Sequence, residues 1–144
     1  MGGRLLIVED SRLELTVSNF MLKWKRKLTD LGYEVDVART FDNAVKKIAE
    51  TRYEVIVSDC DIYGLGFDRS ANGIRLAGII RDVWGAEPLV YVHSKRMYLR
   101  MGPENFSSWD EAKDAGIIDG FFPKWRMKEL YAQLSDKTGE NKLS

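Results

Sequence analysis

The sequence predicts an α/β fold, a doubly wound, five-stranded parallel sheet with helices on both faces. Short β-rich apolar runs alternate with longer segments of helical period, the pattern of a parallel sheet covered on both sides. Two of the runs, Leu5-Leu6-Ile7-Val8 and Val55-Ile56-Val57, are continuously apolar, as buried strands are. Polar residues follow the runs at their carboxyl ends, the edge of such a sheet where ligands bind.

In chain order, the strands are expected at 4–8, 34–38, 54–58, 88–93 and 119–122. The first helix opens at Ser11-Arg-Leu-Glu14, a capping-box spacing in which serine and glutamate each satisfy a free backbone N–H of the other; Gly32 is its expected stop. The second runs from about Thr40 to Glu50 with Ala44, Val45 and Ile48 inward, and the third from Ile74 to about Trp84. A fourth starts at Ser108-Trp-Asp-Glu111, again with capping-box spacing, and stops at Gly116. The fifth covers about Trp125 to Leu134, leaving Asp136–Ser144 as a polar tail. Two connections are long for so compact a chain, those after Asp59 and after Ser94, spanning about 60–71 and 95–107. Both leave the carboxyl edge, and loops of that length are more often functional than idle. No repeat or linker interrupts the pattern, so a single domain over 1–144 is expected, with its core at about 4–134.

Composition narrows the function classes. Lysine plus arginine and aspartate plus glutamate balance at 22 each, so no global field draws the protein to nucleic acid or anionic lipid. One cysteine, Cys60, excludes an intrachain disulfide and suits a reducing compartment. No apolar run approaches membrane-spanning length, and a soluble cytoplasmic protein is the expectation.

The strand ends carry the chemistry. Glu9 and Asp10 follow the first run, Asp59 follows the third, Ser94 ends Pro88-Leu-Val-Tyr-Val-His93, and Lys124 ends Gly120-Phe-Phe-Pro123. An acid pair, a lone acid, a hydroxyl and an amine thus converge on one edge. Carboxylates repel unless a cation sits among them, and a hard divalent cation keeps them ionised. A hydroxyl and an ammonium can hold phosphate oxygens, which makes the set suitable for phosphoryl transfer to a side chain.

These residues resemble a known family, the receiver domains of two-component response regulators. The resemblance rests on Leu5-Leu-Ile-Val-Glu-Asp10, Tyr53-Glu-Val-Ile-Val-Ser-Asp59, Asn72-Gly73, Val90-Tyr-Val-His-Ser94 and Ala115-Gly-Ile-Ile-Asp-Gly-Phe-Phe-Pro-Lys124. It implies a flavodoxin-like sheet of order 2-1-3-4-5 and an aspartyl phosphate formed on Asp59. It further implies Mg²⁺ held by Glu9, Asp10, Asp59 and the backbone carbonyl of Asp61, with Ser94 and Lys124 on the phosphoryl oxygens. Ser94 and Phe121 take the switch positions. The implied partners are a sensor histidine kinase or histidine phosphotransfer protein and a downstream protein target, with a second copy of the chain as an alternative; nucleic acid and membrane are not among them. Such a chain is a phosphoacceptor rather than an enzyme, although it supports its own Mg²⁺-dependent phosphorylation and dephosphorylation. Where the family often has a proline joined to the lysine by a cis peptide, this chain has Trp125; a non-proline cis bond costs roughly 3 kcal/mol, so a trans bond is expected.

Two other functions share parts of the pattern. Val55-Ile-Val-Ser-Asp59-Cys-Asp61 also resembles the first motif of haloacid-dehalogenase-type phosphatases, and Ser94 and Lys124 mimic that family's next two. Those enzymes carry the nucleophile near the N-terminus and a metal-binding acid pair after the lysine, whereas here the acid pair comes first. A degenerate receiver acting as a binding module is the other alternative. His93, the sole histidine, is expected to point away from the pocket of Ser94, because adjacent strand residues face opposite sides; no catalytic role is assigned to it. Cys60 reads as a small buried hydrophobe. Lys23-Trp-Lys-Arg-Lys27 reads as a solvated helix face with Trp24 packed inward. Trp84, Trp109 and Trp125 lie at helix boundaries and supply packing area, the last two with a partner patch as a second use.

Overall fold

A computed structural model describes residues 3–9, 14–60, 72–94, 109–123 and 126–143; of these, the side chains of 14–21, 72, 94 and 138–143 are not described. Five parallel strands, β1 (Arg4–Val8), β2 (Glu34–Ala38), β3 (Val55–Asp59), β4 (Leu89–Ser94) and β5 (Gly120–Pro123), form one sheet of order β2-β1-β3-β4-β5. Between and after them run α1 (Glu14–Asp30), α2 (Phe41–Glu50), α3 (Asn72–Trp84), α4 (Trp109–Asp114) and α5 (Met127–Leu143). The strand boundaries lie within a residue or so of those expected.

Side-chain alternation along the strands sorts the core into two layers. Leu6, Val8, Ile56, Val90 and Val92 face α2, α3 and α4, packing against Phe41, Ala44, Ile48, Ile74, Ile80 and Ala112. Leu5, Ile7, Val55, Val57, Tyr91 and Phe122 face α1 and α5, packing against Trp24, Leu28, Met127, Leu130 and Leu134. Trp24 is buried while Lys23, Lys25 and Arg26 beside it are exposed, the one-faced pattern of a surface helix. Among the described residues, no helix is long and apolar enough to cross a membrane.

Glycine stops explain two helix ends. Gly32 has φ of 105°; its N–H bonds the Thr29 carbonyl at 2.9 Å and the Tyr33 N–H reaches Leu28 at 3.4 Å. Gly116, φ 79°, repeats this after α4, with its own N–H on Lys113 at 3.0 Å and the Ile117 N–H on Ala112 at 3.1 Å. Both are Schellman closures, which need a left-handed residue that glycine alone adopts without cost. At the start of α2 the Thr40 hydroxyl accepts the Asn43 N–H at 3.1 Å, an N-cap. The proposed capping serines Ser11 and Ser108 lie outside the described residues, as do the long connections over 61–71 and 95–108 and the Lys124–Trp125 bond.

One boundary needs correction. α5 continues to Leu143, so 136–143 is helix rather than a polar tail. The stretch is polar but contains no proline, and a helix already nucleated at Met127 propagates through it, with Gly139 as its weakest point at a cost of about 1 kcal/mol.

At the edge next to β2, Asp36 accepts the Tyr53 hydroxyl at 2.7 Å and the Arg4 guanidinium at 3.0 Å. Burial pushes the Asp36 carboxyl up, but these two partners outweigh it and hold the carboxyl below its usual value; the same burial and the bond to Asp36 raise the Tyr53 phenol. A carboxyl depressed by folding contributes stability that is present above its ordinary value of 3.8 and lost as pH falls through the lowered one. Asp36→Asn is therefore expected to be less stable than wild type near neutrality, with the gap closing in acid. Urea denaturation at a series of pH values checks this, and a gap that stays constant below pH 4 refutes it.

Candidate functional site

Parallel pairing brings three polar side chains to the carboxyl edge on the α1/α5 side. β3 and β4 pair with Asp59 opposite His93, and β4 and β5 with His93 opposite Phe122, so these residues form one row across the sheet. Asp59 continues the face of Val55 and Val57, and His93 that of Tyr91. Glu9 follows β1 directly, its N–H bonded to the Ala38 carbonyl at 3.0 Å. Glu9 is 1% exposed, His93 1% and Asp59 8%, so two carboxylates are held almost out of water.

The three converge. His93 Nε2 stands 3.2 Å from Glu9 Oε2, within ion-pair distance. One ligand atom from each of Glu9, Asp59 and His93 lies within 4.8 Å of the other two. Buried charge is stable only when paired or bound to a cation, and two carboxylates this close, with a third donor beside them, fit a divalent metal ion in charge and spacing.

Local backbone geometry fixes Asp59 from two sides. The Cys60 N–H bonds the His93 carbonyl at 2.9 Å, and the Gly73 N–H bonds the Cys60 carbonyl at 2.8 Å. The Ser58 hydroxyl donates to the Asp59 carbonyl at 2.9 Å. Gly73 has to be glycine here: a Cβ on it would lie 2.5 Å from the Asp59 carbonyl oxygen and 2.9 Å from Cys60 Cα. α3 thus begins in contact with the backbone that carries Asp59. Two residues before His93, the Tyr91 phenol is pushed up to about 12 by burial and then by the Asp119 carboxylate, and it stays neutral beneath the acidic row.

Of the residues singled out in the sequence, Glu9 and Asp59 are brought together and Ser94 ends β4 as expected. The side chain of Ser94, and all of Asp10, Asp61, Lys124 and Trp125, lie outside the described residues. Phe121 is half-buried and lies flat against Trp109, ring centroids 4.0 Å apart and planes 7° from parallel. Trp109 is buried and so belongs to the core rather than to a partner patch. Cys60 is buried, as expected.

Sequence reasoning set His93 aside by asking only whether it faces Ser94. The signal that finds it is counting in twos along each strand: 5, 7 and 9, 55, 57 and 59, and 91 and 93 share one face. His93 therefore belongs with the acids.

No family model matches the chain, and no curated protein matches it. Solved structures do. A CheY-like response regulator receiver domain from Methanospirillum hungatei superposes with a TM-score of 0.68 at 16% identity, covering 99% of this chain and 98% of its own. The response regulator TrrA from Thermotoga maritima, solved in complex with Mg²⁺ and BeF, gives 0.65 at 21% identity, covering 93% and 97%. The receiver domain of a sensor histidine kinase from Pseudomonas aeruginosa, with a magnesium ion coordinated in its active-site cleft, gives 0.63 at 24% identity, covering 96% and 99%. The fold of this chain is that of the response regulator receiver domains, matched over nearly its whole length.

Proposed function

We propose that this chain, as a single receiver domain over 1–144, accepts a phosphoryl group on Asp59 from a histidine kinase or histidine phosphotransfer protein. The observation that carries the reading is the convergence of buried Glu9 and Asp59 at the carboxyl ends of adjacent strands β1 and β3 on a receiver fold. That two neighbours of this fold hold magnesium supports a Mg²⁺ site here, with Glu9, Asp10, Asp59 and the Asp61 carbonyl as its holders.

In the transfer, an Asp59 carboxylate oxygen forms the new bond to phosphorus as the donor's phosphorus–nitrogen bond breaks, giving an acyl phosphate and a free imidazole. The scaffold holds the backbone that carries Asp59: the Cys60 and Gly73 amides pin the strand end, which leaves the main chain little freedom to lose when the phosphoryl group arrives. Mg²⁺ held by Glu9, Asp10, Asp59 and the Asp61 carbonyl would supply positive charge for the phosphoryl group in the transition state. Lys124 and the Ser94 hydroxyl complete that neutralisation, which is the main demand of a loose, in-line transition state. Movement of Ser94 toward the phosphoryl group and of Phe121 with it passes the signal to a downstream protein. The chain acts as a phosphoacceptor, not as an enzyme with a separate substrate, in keeping with a cytoplasmic relay.

The test is intact mass after incubation with acetyl phosphate. With Mg²⁺, wild type is expected to gain one phosphoryl group; with chelator, or in Asp59→Asn, none. An adduct that persists in Asp59→Asn overturns the assignment. No adduct on wild type would leave the fold as a binding module.

A further inference from the structure

The acidic row contains a nitrogen. Hard ions such as Mg²⁺ are bound through oxygens and keep several waters, whereas neutral imidazole suits Zn²⁺, Ni²⁺ and similar borderline ions. His93 is not a distant residue that happens to be buried: it lies opposite Asp59 in the β3–β4 register, and its Nε2 faces Glu9 Oε2 at 3.2 Å. Two donors bound to one ion at about 2.1 Å sit about 3–3.5 Å apart in adjacent coordination positions. The Glu9–His93 pair already has that spacing. One ligand atom each of Glu9, Asp59 and His93 lies within 4.8 Å of the other two, which puts the Asp59 carboxylate near enough to share an ion with that pair.

We propose that Glu9, Asp59 and His93 form a mixed oxygen–nitrogen site that takes a borderline divalent ion, Co²⁺, Ni²⁺ or Zn²⁺, with Nε2 of His93 as a direct ligand. The inference rests on the same two carboxylates as the proposed function and adds a regulation to it. An ion held by His93 and these carboxylates competes with Mg²⁺ for Glu9 and Asp59, so such a metal inhibits the Mg²⁺-dependent reaction.

The experiment uses the full chain free of any histidine tag. It holds one histidine, so any imidazole bound to added metal is His93. X-ray absorption of the Co²⁺-loaded wild type is expected to show the scattering of one coordinated imidazole, absent from His93→Gln. Calorimetry should find Co²⁺ affinity at least tenfold lower in His93→Gln while Mg²⁺ affinity changes less than threefold. Oxygen-only Co²⁺ coordination in the wild type overturns the proposal, whether or not the variant folds. Equal losses for both ions overturn it too, since His93 would then only be holding Glu9 in place. The Asp59 adduct with acetyl phosphate and Mg²⁺, followed on the same preparations, separates the two readings. An adduct without imidazole coordination leaves the receiver function standing and removes this site; imidazole coordination without an adduct does the reverse.

Discussion

Gly73→Ala is expected to slow acetyl-phosphate labelling of Asp59 by on the order of 100-fold while costing only about 1–2 kcal/mol of stability. The new methyl group would lie 2.5 Å from the Asp59 carbonyl oxygen and 2.9 Å from Cys60 Cα, and both are backbone atoms with no rotamer to change. Either α3 moves outward, breaking the 2.8 Å bond from Gly73 N–H to the Cys60 carbonyl, or the end of β3 moves. The stability cost is small because alanine gains about 1 kcal/mol over glycine in a helix, which offsets part of the overpacking. Transfer has no such offset, since misplacing a reacting atom by about 1 Å costs on the order of 100-fold. Labelling rates by intact mass, set beside urea denaturation, check both halves. A variant that labels at the wild-type rate refutes the idea that α3 holds Asp59 in position.

The larger loss of stability is expected at Arg81, which is only 13% exposed. Its guanidinium donates to Asp119 Oδ2 at 2.8 Å and to the carbonyls of Pro88 at 2.7 Å, Gly116 at 3.0 Å and Gly85 at 3.2 Å. One side chain thus ties the end of α3, the entry to β4, the end of α4 and the approach to β5. Asp119 is half-engaged elsewhere, its Oδ2 accepting the Val90 N–H at 2.7 Å. Arg81→Ala takes the charge partner from Asp119, which is one-third exposed and keeps the Val90 N–H, and the donor from several carbonyls, for an expected loss of about 2 kcal/mol and a fall in Tm of roughly 7 °C. Arg81→Lys should recover little, because one ammonium cannot span a planar fork of partners. Urea denaturation of both variants is the measurement, and a loss below about 1 kcal/mol for the alanine variant would show that the network is ornamental.

Neither residue announces itself in the sequence in the same way. Asn72-Gly73 is visible as part of a recognisable motif, but the reason for the glycine is a contact with Asp59 and Cys60 that only the folded chain makes. Arg81 looks like any arginine near the end of an amphipathic helix. The strands were legible because each is a short apolar run, and the ends of α1 and α4 because Gly32 and Gly116 have no competitor for a left-handed closure. The end of α5 was not, since polar residues read alike in a solvated helix and in a loose tail. Glu9 and Asp59 could be placed on one edge from strand direction alone. Counting in twos puts His93 on the face of Tyr91, but that it stands directly opposite Asp59 depends on the β3–β4 register, which is set by how whole strands pair and not by any local pattern.

The flat stack of Trp109 on Phe121 bears on noise. A receiver visits its signalling arrangement occasionally with no phosphoryl group attached, and how often it does so sets the background against which a stimulus is read. Given the switch role proposed for Phe121, leaving the stack is part of each such visit, and an aromatic pair of this kind contributes about 0.5–1.5 kcal/mol beyond the area it buries. That thins the spontaneous population by roughly 2- to 12-fold. With that proposed role for Phe121, the first residue of α4 would act as a gain control: truncating Trp109 would raise unstimulated output without removing Glu9 or Asp59 from the acidic row.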